Sequence, residues 1–283
     1  MSKHFKRPKP LVKKAMVPSQ AADGVVSVVG FRNSWQTSHD EFPDFFRCVG
    51  TLTGLINKFR NNEVQGTEAR VIHSMANLVG NSFGALVVLG LNGYGHDAMR
   101  ITRSMFETMV NAKYIQLHPE EAQDYLDFCW VRKNETYEYF KKYAPAEIAS
   151  IPQEKVDHLF AEVNRVKPRF SNRNGQLRKT WCKTDFRTCC EAVGLGEYYP
   201  TFYADASDFE HGNIQALVAQ AEESLTITAA PSLGSVKKAL QIGHLSVLGV
   251  LDVLNDVAAL GLDDEVRTAA KDFQKAWHQQ PTT

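Results

Sequence analysis

The 283-residue sequence carries 32 basic and 32 acidic residues, and 43% of it is hydrophobic. Zero formal charge gives bulk electrostatics no reason to draw the chain to nucleic acid or a membrane, and the composition suits one large domain or two small ones. Five cysteines, an odd number with no C-x-x-C pair, argue against a disulfide framework or a zinc ribbon and for reduced thiols in a cytoplasm.

The first fourteen residues hold Lys3, Lys6, Arg7, Lys9, Lys13 and Lys14 with no acid. No apolar core of the kind an export signal needs follows them, so a cytoplasmic location is expected. A β-branched run at residues 25–31 reads as extended. Residues 1–39 are therefore expected to be a basic tail and an extended segment. The tail is either a solvated terminus or a loose phosphate-attracting arm.

A single helical domain is expected over residues 40–279. Phe42, Phe45, Phe46, Val49, Leu52, Leu55, Ile56 and Phe59 recur at helical spacing until Asn61 and Asn62. A second helix is predicted over residues 67–91, where glycines and Ala85 make a slim surface for a neighbouring helix. The uncharged run at residues 71–95 is long enough to span a bilayer. His73, Asn77, Asn81 and Asn92 would be costly there, which favours a buried central helix.

After a turn at Asn92 and Gly93, residues 95–118 form a third helix, stopped by Pro119. Ala98, Ile101, Met105, Met109, Ala112 and Ile115 share its apolar face. His96, Arg100, Arg103, Glu107, Asn111 and Tyr114 form a narrow stripe on the other side, bordered by Met99, Phe106 and Val110. Charges flanked by apolar side chains need partners, and Arg103 and Glu107 stand i,i+4.

Proline and acids at residues 119–121 start the next helix, which runs to Ala144 and Pro145. A charged peripheral helix is predicted over 146–166, then a basic loop over 167–179. Thr184 or Asp185 caps a short helix ending at Gly194. In the next run, residues 198–218, Ser207 and His211 lie i,i+4 and present a hydroxyl and an imidazole on one face. An extended piece at 222–231, a long apolar helix over 232–260 and an amphipathic one over 263–277 complete the chain. The fold class is all-α, a single bundle of eight or nine helices.

No P-loop, dinucleotide fingerprint, H-E-x-x-H or nucleophile elbow is present. The candidate constellation is His211 and Ser207 with Arg100, Arg103, Glu107 and His96. A histidine can move protons near neutral pH, and arginines can hold a phosphate and neutralise charge developing on it. That combination suits metal-independent phosphodiester cleavage. On spacing alone, the same residues more readily suit a structural network that specifies how two helices pack. A metal site from His96, Glu107, Asp208 and His211 is the third reading, opposed by the arginines. No cofactor is expected.

The stretch GHDAMRITRSMFETMVNAKYI, with PEEAQDYLDF and YYPTFYADASDFEHGN after it, resembles a family of helical prokaryotic proteins of unknown function. In that family an Arg-x-x-x-Glu helix precedes a Ser-x-x-x-His-Gly helix, and the resemblance covers roughly residues 80–260. More distantly, DFEHGN is similar to the Arg-Asn-x-x-x-His-Gly signature of HEPN proteins. Many of those are metal-independent ribonucleases of toxin–antitoxin and antiviral systems and act as dimers. The resemblance implies a HEPN-like core and an RNA substrate. It makes His211 the counterpart of the HEPN histidine. From the residues themselves, His211 is expected to transfer the proton, Arg100 and Arg103 to clamp the phosphate, and Glu107 to orient Arg103. Ser207 is expected to assist or position, and His96, Asn111 and Asp208 to meet the substrate. This sequence departs from the signature at Ala206, where an arginine is expected, so Arg100 or Arg103 would have to supply the guanidinium. The alternative function is a non-catalytic helical module that binds a partner protein or small ligand.

Overall fold

The computed structural model describes residues 32–211 and 233–277, and among them helix is the one regular element beyond an isolated antiparallel bridge, Ser171 to Leu177. The α-helices are α1 (Arg32–Glu41), α2 (Pro43–Arg60), α3 (Thr67–Leu91), α4 (Gly95–Leu117), α5 (Ala122–Tyr143), α6 (Pro145–Ala149), α7 (Gln153–Phe170), α8 (Phe186–Ala192), α9 (Ala204–His211), α10 (Leu233–Ala258) and α11 (Asp263–Trp277). The all-α expectation is met. The described residues hold eleven helices rather than eight or nine.

Two local causes account for the difference. The Arg32–Glu41 segment has a weak apolar pattern, but Trp35 Nε1 donates to Asn92 Oδ1 at 3.0 Å and the buried Ser38 hydroxyl to the Gly90 carbonyl at 3.0 Å. Side-chain bonds to the α3–α4 turn hold that helix, and periodicity does not report them. The charged helix expected over 146–166 is in fact two, because Pro152 forces the residue before it out of the helical region. At its other end α7 continues through Pro168 to Phe170, past the expected start of the basic loop. The wholly buried Val166 and Phe170 draw that last turn onto α5.

The centre of the fold is α4, α10 and α3, packed on one another. Each is apolar on more than one side, and mutual burial is the cheapest way to remove those sides from water. The spacing is set mainly by glycines of α10. A Cβ on Gly243 would come within 2.1 Å of Leu86 Cδ2, and one on Gly249 within 2.5 Å of Met109 Sδ. The expected slim face of α3 contributes too: Gly90 sits against Leu240 of α10 and Gly80 against Ile56 of α2, while Gly84 has open space beside it. Buried hydroxyls are satisfied inside this layer. Thr102 Oγ1 donates to the Ala98 carbonyl at 2.7 Å, and Ser246 Oγ to Ile242 at 2.8 Å.

By length and composition α3 could cross a membrane. Here it lies against α2, α4 and α10, with Val71, Ile72, Val79, Phe83 and Leu86 buried. The α2 helix packs on α3 and α11, and α11 also on α10. The α5–α7 pair has its own small apolar cluster around Val131, Val166 and Phe170. The short helices α8 and α9 lie on α4, which puts them over the polar stripe.

Candidate functional site

The stripe of α4 is covered along much of its length by residues 181–203, and the cover supplies its partners. Arg103 lies at the middle. Its Nη2 donates to the Tyr203 hydroxyl at 3.0 Å and lies 3.2 Å from Glu107 Oε1. Tyr203 in turn donates to Glu107 Oε1 at 2.6 Å. The guanidinium carbon also stands 4.9 Å from the centre of the Tyr203 ring, so one tyrosine offers both its face and its oxygen. Arg103 is 15% exposed and Glu107 35%, so the cluster is open on its carboxylate side.

Aromatic neighbours fix Tyr203 in place. Phe186 from α8 lies 4.6 Å away and Tyr199 stacks at 5.3 Å. Phe106, from α4 itself, packs on Phe202. Burial, and then the Glu107 carboxylate that accepts its proton, push the Tyr203 hydroxyl up to about 12, with Arg103 pulling the other way. The phenol therefore stays protonated and acts as a donor.

The other stripe residues divide by position. Arg100 is exposed and paired with Asp97 at 2.6 Å, one turn before Arg103. His96 is half-buried, and burial lowers its pKa. Asn111 accepts from Trp181 Nε1 at 3.2 Å. Tyr114 lies beside Trp181 and His118. Of the two candidate arginines, Arg103 is the one held at the root of α9. Ala206 is wholly buried in the main core, so an arginine at that position would carry its charge into an apolar interior.

The α9 helix packs on α4 directly after Tyr203. Ser207 is half-buried one turn along, and His211 is at the last position of α9. The side chains of Asp208 and His211 lie outside the described residues, as do the extended segments expected at 25–31 and 222–231. Tyr203 and Trp181 were not among the expected site residues. Tyr203 carried a usable signal, since 203, 207 and 211 step by four along one helical face. Trp181 had none: it meets Asn111 across 70 residues of chain.

The basic loop is partly consumed by the fold. Arg169 bonds to Asp124 and Asp127, and Arg178 donates to the Arg169 carbonyl at 2.9 Å while lying over Phe170. Lys167, Arg173 and Lys179 remain exposed, and the chain passes from Lys179 straight to Trp181 on the stripe. No cluster of three metal-ligating side chains occurs among the described residues.

Residues 69–224 match a family described as a family of unknown function, DUF5677. No curated protein and no solved structure matches the chain.

Proposed function

The chain belongs to the DUF5677 family, whose function is unknown, and we propose that it binds and cleaves RNA without a metal at the seam of α4 and α9, as a HEPN-like cytoplasmic protein. One observation carries the reading. Tyr203, the residue that leads into α9, holds Arg103 and Glu107 of α4, so a fixed cation stands where the helix of Ser207 and His211 begins. In this reading Arg103 faces the phosphate oxygens, and Glu107 and Tyr203 fix its plane. The imidazole of His211 takes the proton of the attacking 2′-hydroxyl as the O2′–P bond forms and the P–O5′ bond breaks. The 5′-oxygen leaves with a proton from water, and Ser207 positions the substrate. Arg103 stands in for the arginine that Ala206 replaces.

A second reading has its own observation. Glu107 and Tyr203 already satisfy much of the Arg103 fork, as they would in a structural network. An open groove of about 700 Å³ between α5 and α6–α7, lined by Trp130, Tyr137, Phe140, Ile148 and His158, would then be the functional surface of an interaction module.

Full-length protein incubated with tRNA and bulk RNA, with and without EDTA, separates the two. The ribonuclease reading expects cleavage that survives EDTA and falls by about 10²-fold or more in His211→Ala. Arg103→Ala should weaken RNA binding and flatten its dependence on salt. A wild type that leaves every RNA intact, together with Arg103→Ala and Tyr203→Phe variants that merely melt earlier, would overturn that reading in favour of the module.

A further inference from the structure

The segment that covers α4 contains a pair of thiols the site does not use. Cys182, just after Trp181, and Cys189, in α8, are 3% and 2% exposed, and the Cys189 thiol donates to Cys182 Sγ at 3.7 Å. Neither belongs to a metal motif in the sequence, and the fold brings them together. We propose that Cys182 and Cys189 form a reversible redox pair, closed to an intramolecular disulfide by hydrogen peroxide and reopened by a dithiol reductant.

The surroundings make Cys182 the attacking sulfur. Three groups favour its thiolate, the Cys189 thiol, which donates to it at 3.7 Å, and the Thr184 backbone N–H and the Tyr114 hydroxyl, while its own proton faces Glu121 Oε2 at 4.0 Å. Together the three bring its pKa down to about 6 against the opposing effects of burial and of Glu121 nearby. Cys189 moves the other way, raised by the same hydrogen bond and by burial, and so keeps its proton. One thiolate beside one thiol is the arrangement that lets an oxidised sulfur be resolved at once.

The chemistry balances in two steps. The Cys182 thiolate attacks one peroxide oxygen: an S–O bond forms, the O–O bond breaks, and hydroxide leaves a sulfenic acid. Cys189 sulfur then attacks Cys182 sulfur. The S–S bond forms, the S–O bond breaks, and the departing hydroxide takes the Cys189 proton as water. Two electrons pass from the sulfurs to peroxide. The remaining cysteines are placed differently. Burial raises Cys48 to about 11 and Cys190 to about 12, and Cys129 is exposed with no second thiol beside it among the described residues. The bond would tie the Trp181 end of the cover, which rests on Asn111, to α8, which carries Phe186 against Tyr203.

The test uses the full chain, treated with hydrogen peroxide, alkylated under denaturing conditions and cut with trypsin. Cleavage after Lys179, Lys183 and Arg187 leaves Cys182 and Cys189 on different peptides. The expected product links these two peptides, lacks the mass of two hydrogens, and reverts with dithiothreitol. Titratable thiols should fall by two from the five of the reduced chain. The link should persist in Cys190→Ala and Cys129→Ser and vanish in Cys189→Ser. Loss of the link in Cys190→Ala with retention in Cys189→Ser would overturn the assignment. So would accumulation of sulfinic acid at Cys182 in wild type without any link, a result that needs no variant to fold. The outcome does not depend on whether the chain cleaves RNA.

Discussion

Where α10 crosses α3 and α4, the contact is made mainly by uncharged atoms, Gly243 beneath Leu86 and Gly249 beneath Met109, with Gln116 of α4 on Asp256 of α10 beside them. Where α7 meets α5, the apolar cluster is small and a carboxylate does much of the holding. Asp127 is 3% exposed, and Arg165 reaches both its oxygens, at 2.8 and 3.2 Å, with Arg169 beside it. The first contact draws on burial, which salt barely alters. The second draws on charges whose guanidinium ends reach solvent, so both salt and acid weaken it. The α5–α7 pair is therefore expected to open locally, at a lower free energy than the central layer.

Breaking the central layer should have the largest effect. Leu86 is wholly buried against Gly243. Leu86→Ala leaves a cavity between α3 and α10 and should cost about 2–5 kcal/mol. Urea unfolding should show one cooperative transition at a lower midpoint. A loss under about 1 kcal/mol would mean that the layer collapses to fill the space, and that its glycine-set spacing is not rigid.

The sequence reports these two regions unequally. The central helices were legible because their apolar periods are long: α3 begins and ends where its pattern does, and α4 within a residue. The Arg103–Glu107 pair was legible because i,i+4 spacing is a property of one helix. What depended on closure in space was not. Nothing local in the sequence places the Tyr203 hydroxyl between Arg103 and Glu107, and Trp35 and Ser38 give no local sign that they fasten α1. The Cys182–Cys189 approach was invisible for the same reason.

Acid should sharpen the comparison. His244 of α10 is 1% exposed among Phe45, Phe83 and Phe273, with Nδ1 accepting from Trp277 at 3.3 Å. Burial pushes its pKa down to about 4. The unfolded chain binds the proton near 6.5, so the stability contributed by the neutral ring is full above that value. It is lost as pH falls from about 6.5 to 4, by up to about 3 kcal/mol. Asp127, held down to about 2 by its arginines, titrates in a lower window, and its contribution is lost between about 4 and 2. Urea midpoints in that first window should fall in wild type and far less in His244→Leu. Equal slopes in both proteins would remove His244 as the cause.

The smallest effect is expected at Asp127, and its size tests whether the α5–α7 pair is separate. Removing one partner of a fully buried ion pair commonly costs about 3–5 kcal/mol, because the other charge is stranded. Here the partners are not stranded. Arg165 is 49% exposed and keeps Glu162 at 2.7 Å, and Arg169 is 38% exposed and keeps Asp124. Asp127→Asn should therefore cost about 1–2 kcal/mol, the range of a hydrogen bond to a charged group with water able to replace it. The loss should be local. Amide exchange should rise by about tenfold in α7, since 1.4 kcal/mol is a factor of ten, and stay unchanged in α10. Raising the salt concentration should move wild type the same way and the variant less. If Asp127→Asn instead lowered the global midpoint as far as Leu86→Ala, with exchange rising throughout α10, the two regions would be one cooperative unit. The charge clasp would then be part of the core's own stability.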